Sequence, residues 1–169
     1  MTDFSVKSDA QIDQWIKNHE AKKAFDAPLY RRLLEERARR TQERTSLNIA
    51  ISLNILRTAA IQQVCTTYGD LAKGSGVDWS QARHKMNGPG GHLDRLLDVC
   101  FARGLPVLPA LCVNKAGVEK GELEETALSG FVEGARRLGI IVTDAAAFHH
   151  ACRDECWLWG KSEAANRSI

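Results

Sequence analysis

Signals that start and stop α-helices recur along this chain at short intervals, and they constrain it to a mainly helical fold. Ser8, followed three residues later by Gln11, is a capping box that opens a helix with Ile12, Trp15, Ile16 and His19 on one side. Asp26-Ala27-Pro28 supplies an N-cap and a first-turn proline for a second helix, whose apolar stripe is Leu29, Leu33, Leu34 and Ala38. Thr67 caps a short helix through Ala72, broken by Gly74-Ser75-Gly76. Asp78 with Gln81 opens another that turns Trp79, Ala82 and Met86 inward. Beyond the Gly88-Pro89-Gly90-Gly91 loop a further helix carries Leu93, Leu96, Leu97, Cys100 and Phe101, and Gly104 stops it. Two helices close the chain. One bears Leu128, Phe131, Val132, Ala135 and Leu138 and ends at Gly139; the other starts after Thr143-Asp144 with Phe148, Cys152 and Trp159.

Two segments do not follow this pattern. Over residues 46–64, Leu47, Ile49, Ile51, Leu53 and Ile55 alternate with polar and small residues at strand period. The apolar run continues unbroken through Ile61, too long for an ordinary strand, so it reads as a buried helix with a strand as the alternative. Leu105 to Asn114 is apolar and β-branched with prolines at 106 and 109, which suits an edge strand. Turn chemistry at Lys115-Ala116-Gly117 then predicts a return strand near Val118–Leu123.

A chain of 169 residues, 44% hydrophobic, buries enough surface for one domain without a metal or disulfide. The expected organisation is a helical N-terminal arm over 1–45, a globular domain over 46–160 and a flexible polar tail over 161–169. No stretch offers the roughly 18 to 20 apolar residues of a membrane span. The first residues carry Asp3 and no apolar run, so the expected compartment is the cytoplasm. Five cysteines without a CxxC pair read as reduced, buried thiols. Net charge is only +2, but it is unevenly spread. Residues 31–44 hold six arginines against three glutamates, and 119–133 hold five glutamates against one lysine.

Residues 68–87 have the spacing of a helix-turn-helix. Ala72 is the small residue that lets the second helix cross closely, and Gly76, four residues on, suits the positive φ of the turn. Leu71, Val77 and Ala82 supply the contacts between helices. The outward face of the second helix then presents Ser80, Arg83, His84 and Asn87, side chains that read base edges or grip phosphates. Lys85 falls where an apolar residue is expected, with Met86 next to it.

With a third helix and a ribbon after it, this unit has the order of a winged-helix domain. Thr67-Tyr68-Gly69-Asp70-Leu71-Ala72, then Ala82-Arg83, then Pro109-Ala110-Leu111-Cys112-Val113, resembles the DNA-binding half of the alkylguanine alkyltransferases, and most of all the non-enzymatic alkyltransferase-like proteins. The resemblance spans about residues 65–117. It implies that Tyr68 presses on a backbone phosphate and that Arg83 enters the base stack in place of a flipped nucleotide. Ala110 stands where the transferases carry their alkyl-accepting cysteine, and the histidine and arginine of that motif are missing.

Other constellations carry less. His149, His150, Cys152 and Cys156 lack the short-loop cysteine pair of a zinc site, so no metal is expected. Cys112 has no histidine placed beside it, and Gly88–Gly91 lacks the Lys-Ser or Lys-Thr of a phosphate loop. Glu119, Glu122, Glu124 and Glu125 read as solvated carboxylates. The expected fold is therefore mainly α with a small β-ribbon, winged-helix-like, with an N-terminal helical arm and two C-terminal helices. The expected function is non-enzymatic binding of duplex DNA through Tyr68, Ser80, Arg83, His84, Lys85, Asn87 and Lys115, without a cofactor, in a regulatory, DNA-damage or mobile-element setting. The competing reading is a protein-interaction module, an inhibitor or adaptor, whose helix-turn-helix is architectural and whose 1–45 arm docks a partner. A third is a nucleic-acid enzyme with an acidic site at 119–125.

Overall fold

The computed structural model describes residues 1–168, and they form eight α-helices and one two-residue strand pair. The N-terminal pair, α1 (Asp9–Ala21) and α2 (Pro28–Thr45), makes the expected hairpin. Ser8 and Gln11 close the capping box on α1, whereas the N-cap of α2 is Ala27, without a side-chain bond, rather than Asp26. The ambiguous run is helix: α3 spans Ile49–Gln62, with Asn48 accepting from the Ile51 amide. Its buried positions Ile49, Leu53, Leu56 and Ala60 recur at three and four residues, so the helical period governs and Ile51 is left exposed.

Next come β1 (Thr66–Thr67), α4 (Tyr68–Gly74), α5 (Trp79–Met86) and α6 (His92–Arg103). The expected ribbon takes another form. Leu108–Leu111 is a 3-10 turn, and only Cys112–Val113 is strand (β2), paired in parallel with β1 as Thr66 with Cys112 and Thr67 with Val113. Pro106 and Pro109 cannot donate to a ladder, which limits the strand to the residues beyond them. The return strand at Val118–Leu123 does not form. That segment is spent on turns, with the amides of Gly121 and Glu122 both bonded to the Gly117 carbonyl.

The two closing helices are α7 (Glu125–Arg137) and α8 (Ala145–Arg167). The tail expected to be loose from Lys161 continues α8 to Arg167 and is anchored where Glu163 pairs with Arg57 of α3. Gly160 does not break the helix. It lets α8 lie against α3 where a Cβ would strike the Ala60 carbonyl. The last residue of that expected tail, Ile169, lies outside the described residues.

The central element is α3, which touches α2, α4, α6, α8, β1 and the 3-10 turn. Its apolar face joins Leu71, Ala82, Met86, Leu96, Leu111 and Cys156 in the main core. The hairpin is not set apart from this body. Ile12, Ile16, Tyr30, Leu33 and Leu34 form a second core with Leu97 of α6 and Leu138, which follows α7. Beneath it Asp98 of α6 is wholly buried and bonded by Arg37 of α2 at 2.9 Å, Arg95 at 2.6 Å and Arg137 of α7 at 2.9 Å.

Candidate nucleic-acid interface

Thr67 and Asp70 form a reciprocal capping box at the start of α4. Gly76 adopts φ +71°, and the Val77 amide donates to the Ala72 carbonyl, which turns the chain toward α5. Ala72, Ala82 and Met86 are buried at the crossing. Met86 is buried as its spacing predicts, and Lys85, where the helix-turn-helix pattern expects an apolar residue, is exposed.

Eight residues of α5 with two buried positions leave a wide exposed face. Ser80, Gln81, Arg83, His84, Lys85 and the C-cap residue Asn87 all lie on it. Trp79 lies there too. It was expected inside, but it sits in the first turn, beyond the reach of the core, and is 44% exposed.

The charge on this face is uncompensated. Among the described residues no carboxylate comes within ion-pair distance of Arg83, Lys85 or Lys115; Arg83 Nε donates only to His84 Nε2, at 3.2 Å. The arginines of the hairpin are largely taken up. Arg37 binds Asp13 and Asp98, Arg39 binds Glu36 and Glu43, Arg40 binds Glu36 and Asp9, Arg44 binds Asp9, and Arg32 donates to the Thr2 carbonyl. Among the described residues Arg31 has no such partner.

Tyr68 and Lys115 form a separate pair of positions. The parallel register sets Tyr68, just after β1, beside the chain that leaves β2 toward Lys115 on its short 3-10 turn. Lys115 is exposed, but the Tyr68 ring belongs to the main core and is only 7% exposed. Burial raises its phenol well above the ordinary value. Of the residues assigned to the interface, Tyr68 therefore presents the least surface to a ligand.

The thiols are placed for packing. All five cysteines are free and buried, and burial pushes Cys100 and Cys152 up to about 12 and Cys112 well above its usual value. Ala110 is buried, and its carbonyl accepts from His149 Nε2 at 2.9 Å. That bond draws His149 inward, and among the described residues no group of three or more His, Cys, Asp or Glu could hold a metal. Glu119, Glu122, Glu124 and Glu125 are exposed.

Sequence reasoning missed the Asp98 cluster. Only the Arg95–Asp98 spacing of three residues on one helix hinted at it, because Arg37 and Arg137 arrive from distant parts of the chain. No protein-family model, curated protein or solved structure matches this chain. No helix among the described residues is long and apolar enough to cross a membrane.

Proposed function

We propose that this chain binds duplex DNA without chemically altering it, with α4 as the supporting helix and α5 as the element that enters a groove. The reading rests on Arg83, an exposed guanidinium on α5 that no acid among the described residues neutralises. A structural arginine finds a carboxylate, as Arg37, Arg39, Arg40 and Arg44 of the hairpin do. A recognition arginine keeps its donors for a base edge or a phosphate. The dimensions suit this use: an α-helix with its side chains is about 10–12 Å across, and a major groove is about 12 Å wide. Ser80, His84 and Asn87 add short polar donors and acceptors to the same face.

Absence of chemistry is the reading favoured by Ala110 at the transferases' acceptor position and by thiols that burial holds protonated. The competing role, docking of a partner through the 1–45 hairpin, loses its main motive because the apolar stripe of that hairpin is packed against α6.

Arg83→Ala tests the proposal when affinity and stability are measured on the same protein. It should lose about 1–3 kcal/mol of DNA binding with the melting temperature nearly unchanged. In the unaltered protein, three phosphate contacts from Arg83, Lys85 and Lys115 predict a fall in affinity of roughly 40-fold between 50 and 200 mM salt. Lost stability with unaltered affinity, or binding indifferent to salt, would refute it.

A further inference from the structure

One aromatic ring on α5 is left unclaimed by the fold. Of the four tryptophans, three have a cation over the ring: Lys7 over Trp15 at 5.3 Å, Arg153 over Trp157 at 5.1 Å and Arg57 over Trp159 at 5.8 Å. Among the described residues Trp79 has no such cover, and it belongs to none of the three apolar clusters. Its 44% exposure lies on the same helix as the unneutralised Arg83.

The place of the ring gives it a use. Trp79 is the first residue of α5, and the N-terminal residues of a helix lying in a major groove are those that meet base edges. Arg83 follows four residues on, which sets it about 6 Å along the helix and about 40° round it. Its Nε donates to His84 Nε2 at 3.2 Å, so both Nη groups are left with no acceptor among the described residues. Trp79 and Arg83 thus form one row at the leading end of the helix, an apolar plate followed by a planar fork.

The floor of a major groove offers few partners for such a plate. Its base edges are hydrogen-bonding groups except for the C5-methyl of thymine. A ring laid on the other edges strips their water and returns no hydrogen bond. The fork matches guanine, whose O6 and N7 accept bidentate from arginine. Successive base pairs rise about 3.4 Å, so a row of about 6 Å spans one to two steps. We propose, resting on the reading of α5 as the helix that enters DNA, that Trp79 selects a C5-methyl pyrimidine and Arg83 a guanine one or two base pairs away. The methyl is that of thymine or of 5-methylcytosine. Trp79 is then a specificity-determining residue, whereas Lys85 and Lys115 grip phosphates and serve any sequence.

The test exposes the full chain to a pool of random duplexes at low salt and sequences those retained. They should share a thymine and a guanine within two base pairs. In the site so found, deoxyuridine in place of the thymine removes one methyl and no hydrogen bond. Affinity should fall by about four-fold, the worth of one buried methyl. Replacing the guanine by 7-deazaguanine removes an acceptor of the fork and should cost about five-fold or more. Trp79→Ala should abolish the first loss and keep the second, and Arg83→Ala the reverse. The deoxyuridine comparison uses the unaltered protein, so it decides the matter even where a variant folds poorly. A 5-methylcytosine–guanine pair bound as tightly as the thymine–adenine pair identifies the methyl alone as the feature read; weaker binding identifies thymine. Retained duplexes without a common sequence, or deoxyuridine bound as tightly as thymine, would overturn the proposal and leave salt-dependent DNA binding standing. So would a Trp79→Ala protein that still tells the two bases apart. No duplex retained even at low salt would remove the DNA reading itself.

Discussion

Replacing Asp98 by asparagine should be among the most damaging isosteric changes in this protein. Its carboxylate has no exposed surface and accepts from Arg37, Arg95 and Arg137, which belong to three different helices. Burial alone would raise its pKa, but Arg137, Arg37 and Arg95 outweigh burial and hold the group ionised below its usual range. Asparagine keeps the shape, removes the charge and turns an amide N–H toward a guanidinium. Breaking a buried ion pair from one side costs about 3–5 kcal/mol. Arg137 retains some solvent contact and Arg37 keeps Asp13, so both can partly recover, whereas Arg95 has no other carboxylate, and a loss of about 3 kcal/mol is expected. With an m-value near 2 kcal/mol/M, the urea midpoint should fall by about 1.5 M. Far-UV circular dichroism and tryptophan fluorescence should report the same transition. A midpoint shifted by less than about 0.3 M would refute the reasoning, since it would mean that the three arginines do not depend on this carboxylate.

Three further outcomes rest on buried groups. His92 shares a 2.7 Å hydrogen bond with Ser52, and burial lowers its pKa to about 4. The unfolded chain takes up this proton near pH 6.5 and the folded chain does not, so stability is complete above that pH and falls by about 3 kcal/mol on acidification to pH 4. His92→Gln should flatten this slope in urea titrations across the pH range; an unchanged slope would exclude His92 as its source. Cys112→Ser should cost about 1–2 kcal/mol by burying a hydroxyl beside β1, and should leave the proposed salt-dependent DNA binding unaltered. In the native protein the five thiols should resist iodoacetamide at neutral pH until unfolding exposes them.

Helix boundaries were legible because their causes are local. Ser8 with Gln11, the Thr67 cap, and Gly104 at φ +66° each act within a few residues of the element they begin or end. The β element was not legible in the same way. Its strand came from within the expected 105–114 run, but its partner is β1, about 46 residues earlier in the chain, and no turn signal marks a parallel pair. The tail was misjudged by composition. Lys161, Ser162 and Glu163 are polar, yet they continue a helix whose start at Asp144 and packing against α3 are set well upstream. Trp79 shows the limit of periodicity as a guide to burial. It shares the helical phase of Ala82 and Met86 but lies one turn beyond the atoms those residues meet.

Charge was the least legible property, and it matters most for function. Counted along the chain, the hairpin with its six arginines was the basic element and α5 a minor one. Counted in space, the order reverses. A helical spacing of three or four residues pairs Arg39 and Arg40 with Glu36, the fold brings Asp9 to Arg40 and Arg44, and Asp98 neutralises part of Arg37. On α5 the nearest acid in sequence is Asp78, at the N-cap, while Arg83 and Lys85 lie in the last turn, where the helix dipole also favours cations. These cations are left to interact outside the molecule, which net charge of +2 conceals. It follows that neutralising the hairpin arginines should act mainly through stability, and neutralising α5 mainly through affinity for a polyanion.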